Sequence, residues 1–478
     1  MGWRECECRI TYDSLCGKEG KQMITIRNKK GKRSKLFYFV WSAPLIGSAC
    51  VLILLGYITY FSTDVLGLPS GLVGLLLLLS KIFDGVTDIL AGYLIDRTNT
   101  RWGKARPYDI TFAFYAIATL ILFSIPNIGT VGTAILVFIL YTMVFSIFQT
   151  LYSCAGTVYL ARAVTDKEDQ VSVGALTGMI SAFSSVVLSV LLPLLIDKIG
   201  KTASGWRTIA AMICIPAIVL SFIRIFLIPE VDGTAETVMK DKSKKLTIVQ
   251  SAKLLFSNRY LMFFGLALLM TNIASNIVAN SQTYYFKYVV GDISMMSLVS
   301  VTSIAGPLTI AFYPMLSKKI GMKNLMAAAL LIGAVGKLLP LLGVTSMPLL
   351  LVSALFFSIS FMPIFILTSN VIINCMDYGE YKNGVRGEGI YTCVSGFCSK
   401  VGTGLASGML GLVTALGGYD GTAVVQSSSA VNSVILLFTV VPAALYFLAV
   451  LALQFYKLDK ELPYIQEELK KRSTPSAG

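Results

Sequence analysis

Apolar residues fall in long unbroken blocks along this 478-residue chain, with short polar stretches between them. Twelve blocks stand out, at 37–62, 70–95, 108–126, 131–160, 171–195, 207–228, 259–287, 296–316, 323–343, 347–374, 388–416 and 430–455. Each is long enough to span a hydrocarbon core of roughly 30 Å as a helix. A membrane β-barrel would alternate apolar and polar positions, so continuous runs predict helices. The expectation is an all-α polytopic membrane protein with twelve transmembrane helices. The longest polar connection, 229–258, separates six blocks from six, the pattern of transporters built from two pseudo-symmetric halves. The predicted organisation is a basic cytoplasmic tail (1–36), a six-helix bundle (37–228), a cytoplasmic linker (229–258), a second six-helix bundle (259–455) and a cytoplasmic C-terminal tail (456–478).

Composition agrees: 55% of the residues are hydrophobic and 14% charged, against about a quarter charged in soluble domains. The formal net charge of +14 invites a nucleic-acid reading, but the placement of the cations explains it through topology. Lys and Arg crowd the N-terminal tail and the connections after even-numbered blocks, such as Arg97, Arg101, Lys104 and Arg106, or Lys240, Lys242, Lys244 and Lys245. By the positive-inside rule both termini are cytoplasmic. The expected location is the plasma membrane, with the lipid bilayer as partner and no nucleic acid. The first 35 residues lack the apolar core of a cleavable signal. Nine cysteines show no metal spacing, and the absence of histidine removes zinc sites and His-based triads. No enzymatic activity and no organic cofactor is expected.

Chemistry concentrates in the second block. Asp84 and Asp88 lie four residues apart, so on a helix they share one face, one turn apart. A carboxylate inside a bilayer is costly and usually marks an ion or substrate pathway. With Lys81 beside them, the two acids form a candidate cation site. The block ends in Gly92-Tyr93-Leu94-Ile95-Asp96-Arg97 and a basic turn carrying Arg101. After the eighth block, Tyr313 to Lys323 repeats the basic turn without the acid. An Asp and cations at such a turn can bridge helix ends and hold one gating state. Asn272, Asn276 and Asn280 share a face of the seventh block, suited to a polyol or to a neighbouring helix. Lys337 in the ninth block is expected to snorkel. Asp109 is expected to cap or neutralise the Arg106 turn. Trp41 and Tyr152 are offered for stacking on a sugar ring, against a core or interfacial role.

These residues resemble a known family. Gly92 to Arg97 is similar to a signature of the major facilitator superfamily. The fuller string Lys81, Asp84, Asp88, Gly92, Asp96-Arg97, Arg101-Trp102-Gly103-Lys104, Arg106-Pro107 resembles the glycoside–pentoside–hexuronide:cation symporters, of melibiose permease-like type. Thr63-Asp64-Val65, Tyr284 to Val289 and the string Asp377-Tyr378-Gly379-Glu380, Lys382, Gly384, Arg386, Glu388-Gly389-Ile390 agree with it, and Lys400 falls where the family has a lysine in its eleventh helix.

The resemblance implies the major facilitator fold and an alternating-access symporter that couples Na⁺, Li⁺ or H⁺ to uptake of a sugar, glycoside or uronate, working as a monomer. It assigns Asp84 and Asp88 to the cation site, with Na⁺ a candidate ion there. Asp96, Arg97, Arg101, Arg386 and Glu388 are the expected gating residues. The chain also departs from the family: Ser48 and Ser153 stand where acids of the first and fourth helices are usual, and Gly178 replaces an arginine of the fifth. Neutral oxygens of Ser153, Thr150 and Gln149 are therefore the expected assistants to the acid pair. Lys81 and Lys400, lacking competing acids, suit an anionic substrate, with Ser48, Trp41, Tyr152, Asn272 and Asn276 as further substrate contacts. The alternative is an exchanger, or a carrier of a lysolipid or other organic anion, on the same fold.

Overall fold

The structure is a computed structural model. It describes residues 35–98, 100, 103, 105–164, 167–228, 255, 257–309, 312–383, 388–423 and 425–473. The linker 229–254 and both outermost tails therefore lie outside the described residues. Within them, helices occupy every one of the twelve apolar blocks and no strand forms.

We label the helices by block. In the first half they are α1 (Lys35–Leu55), α2 (Ser70–Arg97), α3 (Ile110–Leu122), α4 (Thr130–Thr142, Met143–Gln149 and Thr150–Ala163), α5 (Lys167–Ile199) and α6 (Ala203–Leu227). The second half holds α7 (Arg259–Tyr285), α8 (Met296–Val301, Thr302–Ile304 and Ala305–Thr309, resumed by Tyr313–Ile320), α9 (Met322–Leu338), α10 (Met347–Asn383), α11 (Glu388–Leu416) and α12 (Ser428–Phe438 and Val440–Gln454). A final amphipathic helix, α13 (Leu458–Ser473), follows. Eight of the described helices are long and apolar enough to cross a membrane. The remaining blocks hold α2 and α11, the 13-residue α3 and the interrupted α8.

Helix ends follow from local chemistry. Thr202 begins α6 by accepting from the Gly205 amide, and Asn258 begins α7 by accepting from the Leu261 amide. Each satisfies a backbone donor that the helix leaves without a partner. Successive helices within each half run antiparallel, and the pairing of Gly74 with Gly411 and of Lys81 with Gly404 aligns the two halves. The first and last described helices, α1 and α13, therefore begin and end at one end of the bundle, here called the terminal end.

The buried side chains form three clusters that report the shape of the molecule. One, near the terminal end, draws only on the first half, with Trp41, Tyr159 and Val173. A second, at the same end, draws only on the second half, with Phe264, Met326 and Tyr456. The third, at the far end, mixes both halves and includes Phe61, Phe123, Trp206, Tyr284 and Phe286. The halves thus share one core at the far end and part towards the termini.

The tightest seam between them is α2 against α11. A Cβ built on Gly411 would stand 2.6 Å from the Ser70 carbonyl oxygen and 2.7 Å from the Gly74 Cα. One on Gly74 would stand 2.8 Å from the Ser407 carbonyl oxygen. In lipid, close packing of small residues replaces the hydrophobic effect as the force that joins helices. Gly411→Val must therefore push the two backbones apart. We expect it to destabilise the far-end seam by about 1–3 kcal/mol and to lower the melting temperature of the purified protein, with Gly411→Ala intermediate. An unchanged melting temperature in Gly411→Val would refute this packing.

Candidate functional site

At the far end the seam is locked by charge. α1 continues into a π-helical turn, Phe61–Val65, and α7 ends in another, Phe286–Val290. Glycines at positive φ, Gly67 at 71° and Gly291 at 86°, close the two turns. Such a φ suits glycine, which has no Cβ to clash. The turns occupy corresponding places in the two halves and meet across the seam. The Asp64 carboxylate, 1% exposed, accepts from Lys287 Nζ at 2.6 Å, from the Tyr419 hydroxyl at 2.6 Å and from the Tyr288 hydroxyl. Thr63 and Tyr284 share a further hydrogen bond at 2.8 Å. Burial pushes the Tyr419 phenol far up, with Tyr284 and Asp64 adding to the effect, so it remains a donor to Asp64.

Towards the terminal end the halves part around a cavity of about 430 Å³. α2 contributes Lys81 and Asp84; α4 contributes Gln149, Thr150 and Ser153; α7 contributes Asn276 and Asn280; α11 contributes Lys400 and Thr403. The seam that brings Gly74 to Gly411 also sets Lys81 beside Gly404, where a Cβ would lie 3.0 Å from that of Lys81.

Asp84 is 3% exposed. Its Oδ2 lies 3.2 Å from Lys81 Nζ, while its Oδ1 is buried with no hydrogen-bond partner among the described residues. Lys81 Nζ also stands 3.5 Å from the Phe145 ring centroid. A half-satisfied buried carboxylate is rare and has the character of a ligand for a hard cation or a proton. Hydroxyl oxygens stand on the same wall: Thr150 Oγ1 donates to the Phe145 carbonyl and Ser153 Oγ to the Thr150 carbonyl, each at 3.2 Å. The π-helical stretch Met143–Gln149 carries Phe145 and Gln149 to the cavity wall. Asn276 donates to the Asn272 carbonyl at 2.8 Å and accepts from Thr403 at 3.3 Å.

Other expected site residues fall elsewhere. Asp88, Asp96 and Arg97 continue α2, and Glu388 opens α11, but their side chains lie outside the described residues, as do Arg101 and Arg386 entirely. Asn272 donates to the Leu268 carbonyl and packs on Gly402, so it serves the α7–α11 contact and does not line the cavity. Ser48 lies on α1 away from the cavity, which that end of the chain lines instead with Leu52, Leu55 and Gly56.

Trp41 and Tyr152 are corrected most clearly. Both are buried and face the guanidinium of Arg224, 5.0 Å and 5.7 Å from their ring centroids, with Tyr159 at 5.2 Å. Arg224 itself pairs with Asp109 in a bidentate contact along one guanidinium edge, Nε to Oδ2 at 2.6 Å and Nη2 to Oδ1. Asp109 therefore does not serve the Arg106 turn; Arg106 donates to the Ile225 carbonyl. Rings around a buried ion pair supply cation–π attraction and exclude water, and neither Trp41 nor Tyr152 lines the central cavity. Sequence reasoning missed Arg224, although a lone arginine in an apolar block was the available signal. It also left Asp64 and Lys287 without a role despite noting both strings.

Comparison with known proteins adds a family. A family model described as MFS/sugar transport protein matches residues 42–460. The isoprimeverose transporter of Lactiplantibacillus pentosus is 29% identical over 427 residues, covering 87% of each chain. The glucuronide carrier protein homolog of Escherichia coli (strain K12) is 28% identical, covering 87% of this chain and 91% of its own. A crystal structure of a D-xylose–proton symporter superposes with a TM-score of 0.61 at 16% identity, over 88% of this chain and 98% of that one, a likeness of fold.

The far-end lock has a measurable consequence. Lys287→Met leaves the buried Asp64 carboxylate without its cation, which costs the closed seam about 3 kcal/mol. In a background without native cysteines, maleimide labelling of Ser62→Cys, buried at this end, is expected to accelerate when Lys287→Met is added. Equal labelling rates with and without the lysine would show that the pair does not hold the seam.

Proposed function

The chain belongs to the MFS/sugar transport protein family, and on that premise we propose that it imports a sugar, glycoside or uronate by alternating access, coupled to Na⁺ or H⁺. It is a multi-pass membrane transporter of the major facilitator fold and not an enzyme. Relatives named as isoprimeverose transporter and glucuronide carrier support a carbohydrate as the solute. With the termini in the cytoplasm, the far-end seam is the extracellular gate and the central cavity opens inward.

The observation that carries coupling is the buried, unpartnered Oδ1 of Asp84 on the wall of a cavity lined by both halves. The donor set fits a monovalent cation: hard oxygens from Asp84, Gln149, Thr150 and Ser153, with Asp88 one turn along α2. A proton taken up by the same unpartnered oxygen is the other coupling ion. Lys81 is the internal counter-charge. It holds Asp84 when the ion is away and must yield part of that contact when the ion arrives, which ties ion binding to the position of α2 against α11. Lys400 and Asn280, from the opposite half, face the same space and would meet the solute. Ion and solute together then bridge the halves, which is what permits the far-end seam to release.

The test is uptake into proteoliposomes under imposed Na⁺ or pH gradients, using isoprimeverose, xylose and glucuronides as solutes. Asp84→Asn is expected to abolish gradient-driven accumulation, a loss of at least about tenfold, as befits removal of a charged ligand worth several kcal/mol, while folding and insertion persist. Full accumulation by Asp84→Asn would end the coupling assignment.

A further inference from the structure

Lys337 was expected to snorkel to the membrane surface, and the structure overturns this: the residue is 2% exposed. Its ammonium lies 4.1 Å from the Phe438 ring centroid and 4.6 Å from that of Phe357. It lines a second cavity, of about 330 Å³, reached between α1 and α7 and continuous in its walls with the central one, since Leu52, Gly56 and Ala279 border both. Among the described residues the ammonium has no carboxylate and no hydrogen-bond acceptor. The buried Lys81 and Arg224 and the half-buried Lys287 each have an acid beside them: Lys81 has Asp84, Arg224 has Asp109 and Lys287 has Asp64.

Aromatic faces attract an ammonium but leave its N–H donors unused. A buried cation without an anion is expensive to retain in a membrane and is seldom idle. The Gln282 amide, on the same wall, also makes no hydrogen bond among the described residues, so a second donor faces the chamber. Hydroxyls of Thr283, Ser300 and Ser303 lie along the rest of the wall.

We propose that this chamber is an anion site in which Lys337 and Gln282 bind one monovalent oxyanionic or halide group, carried by the solute as a sugar carboxylate or present as a free ion. The carboxylate form rests on the carbohydrate reading above and refines it. A sugar acid would place its ring in the central cavity, against Lys400 and Asn280, and direct its acid past Gly56 and Ala279 to Lys337. Phe357 and Phe438 face the ammonium and shield the pair from water.

The experiment measures thermal stabilisation of the full-length purified protein by sodium glucuronate, glucose and sodium chloride at matched ionic strength. Wild type, Lys337→Gln and Lys337→Arg are compared. The expected result is a preference for glucuronate over glucose that falls at least about tenfold in Lys337→Gln and is largely kept in Lys337→Arg. A Lys337-dependent response to chloride with none added by glucuronate assigns the site to a free anion and supports it in that form. Identical anion responses in wild type and Lys337→Gln would overturn the proposal. Should the protein carry no sugar in the uptake assay yet retain a Lys337-dependent anion response, the carbohydrate reading fails and the anion site stands.

Discussion

The arrangement depends on the close passage of α2 against α11, where Gly74 and Gly411 bring two backbones almost into contact. Lipid tails compete on equal terms for apolar surface, so only packing closer than lipid can achieve will join helices there. This contact links the helix that carries Lys81 and Asp84 to the helix that carries Lys400. It also closes one end of the bundle around a shared core while two separate cores leave the other end parted. Cavity, gate and charge placement all follow from that asymmetry.

Buried charges then sort by how completely they are satisfied. Asp109 and Arg224 satisfy one another inside a ring of Trp41, Tyr152 and Tyr159, and behave as a fixed strut. Asp64 is fully satisfied too, but its donors Lys287, Tyr288 and Tyr419 come from the other half, so the same chemistry becomes a lock between moving parts. Asp84 is half satisfied, by a lysine on its own helix. Lys337 has only aromatic faces. Because an unmet charge in low dielectric is so costly, the degree of satisfaction separates scaffold from site better than burial does.

Much of this was legible in the chain. Continuous apolar blocks are unambiguous because a bilayer permits few backbone solutions, and each block is helical where described. Lys81, Asp84, Gln149, Thr150, Ser153, Asn276 and Lys400 were all singled out beforehand, and all line one cavity. They were findable because a polar residue in an apolar helix is conspicuous. Trp41 and Tyr152 stood open between a sugar and the core for the opposite reason, and both are in the core. An aromatic side chain suits a ligand, a core or a cation equally, and only its neighbour decides. Lys337 was misjudged because snorkelling is the usual course for a lysine near a helix end; whether it can snorkel depends on what covers it.

The sequence by itself determined the class of molecule, its helices and which polar residues stand inside apolar segments, since each of these follows from the cost of polar groups in hydrocarbon. The tertiary structure alone decided partnership. That Asp64 meets Lys287 223 positions away, that Asp109 meets Arg224 across 115, and that Asp84 keeps one oxygen unpaired are matters of which helix faces meet. Helical periodicity places a residue on a face, but the rotation and register of that helix against its neighbours come only from packing the whole bundle.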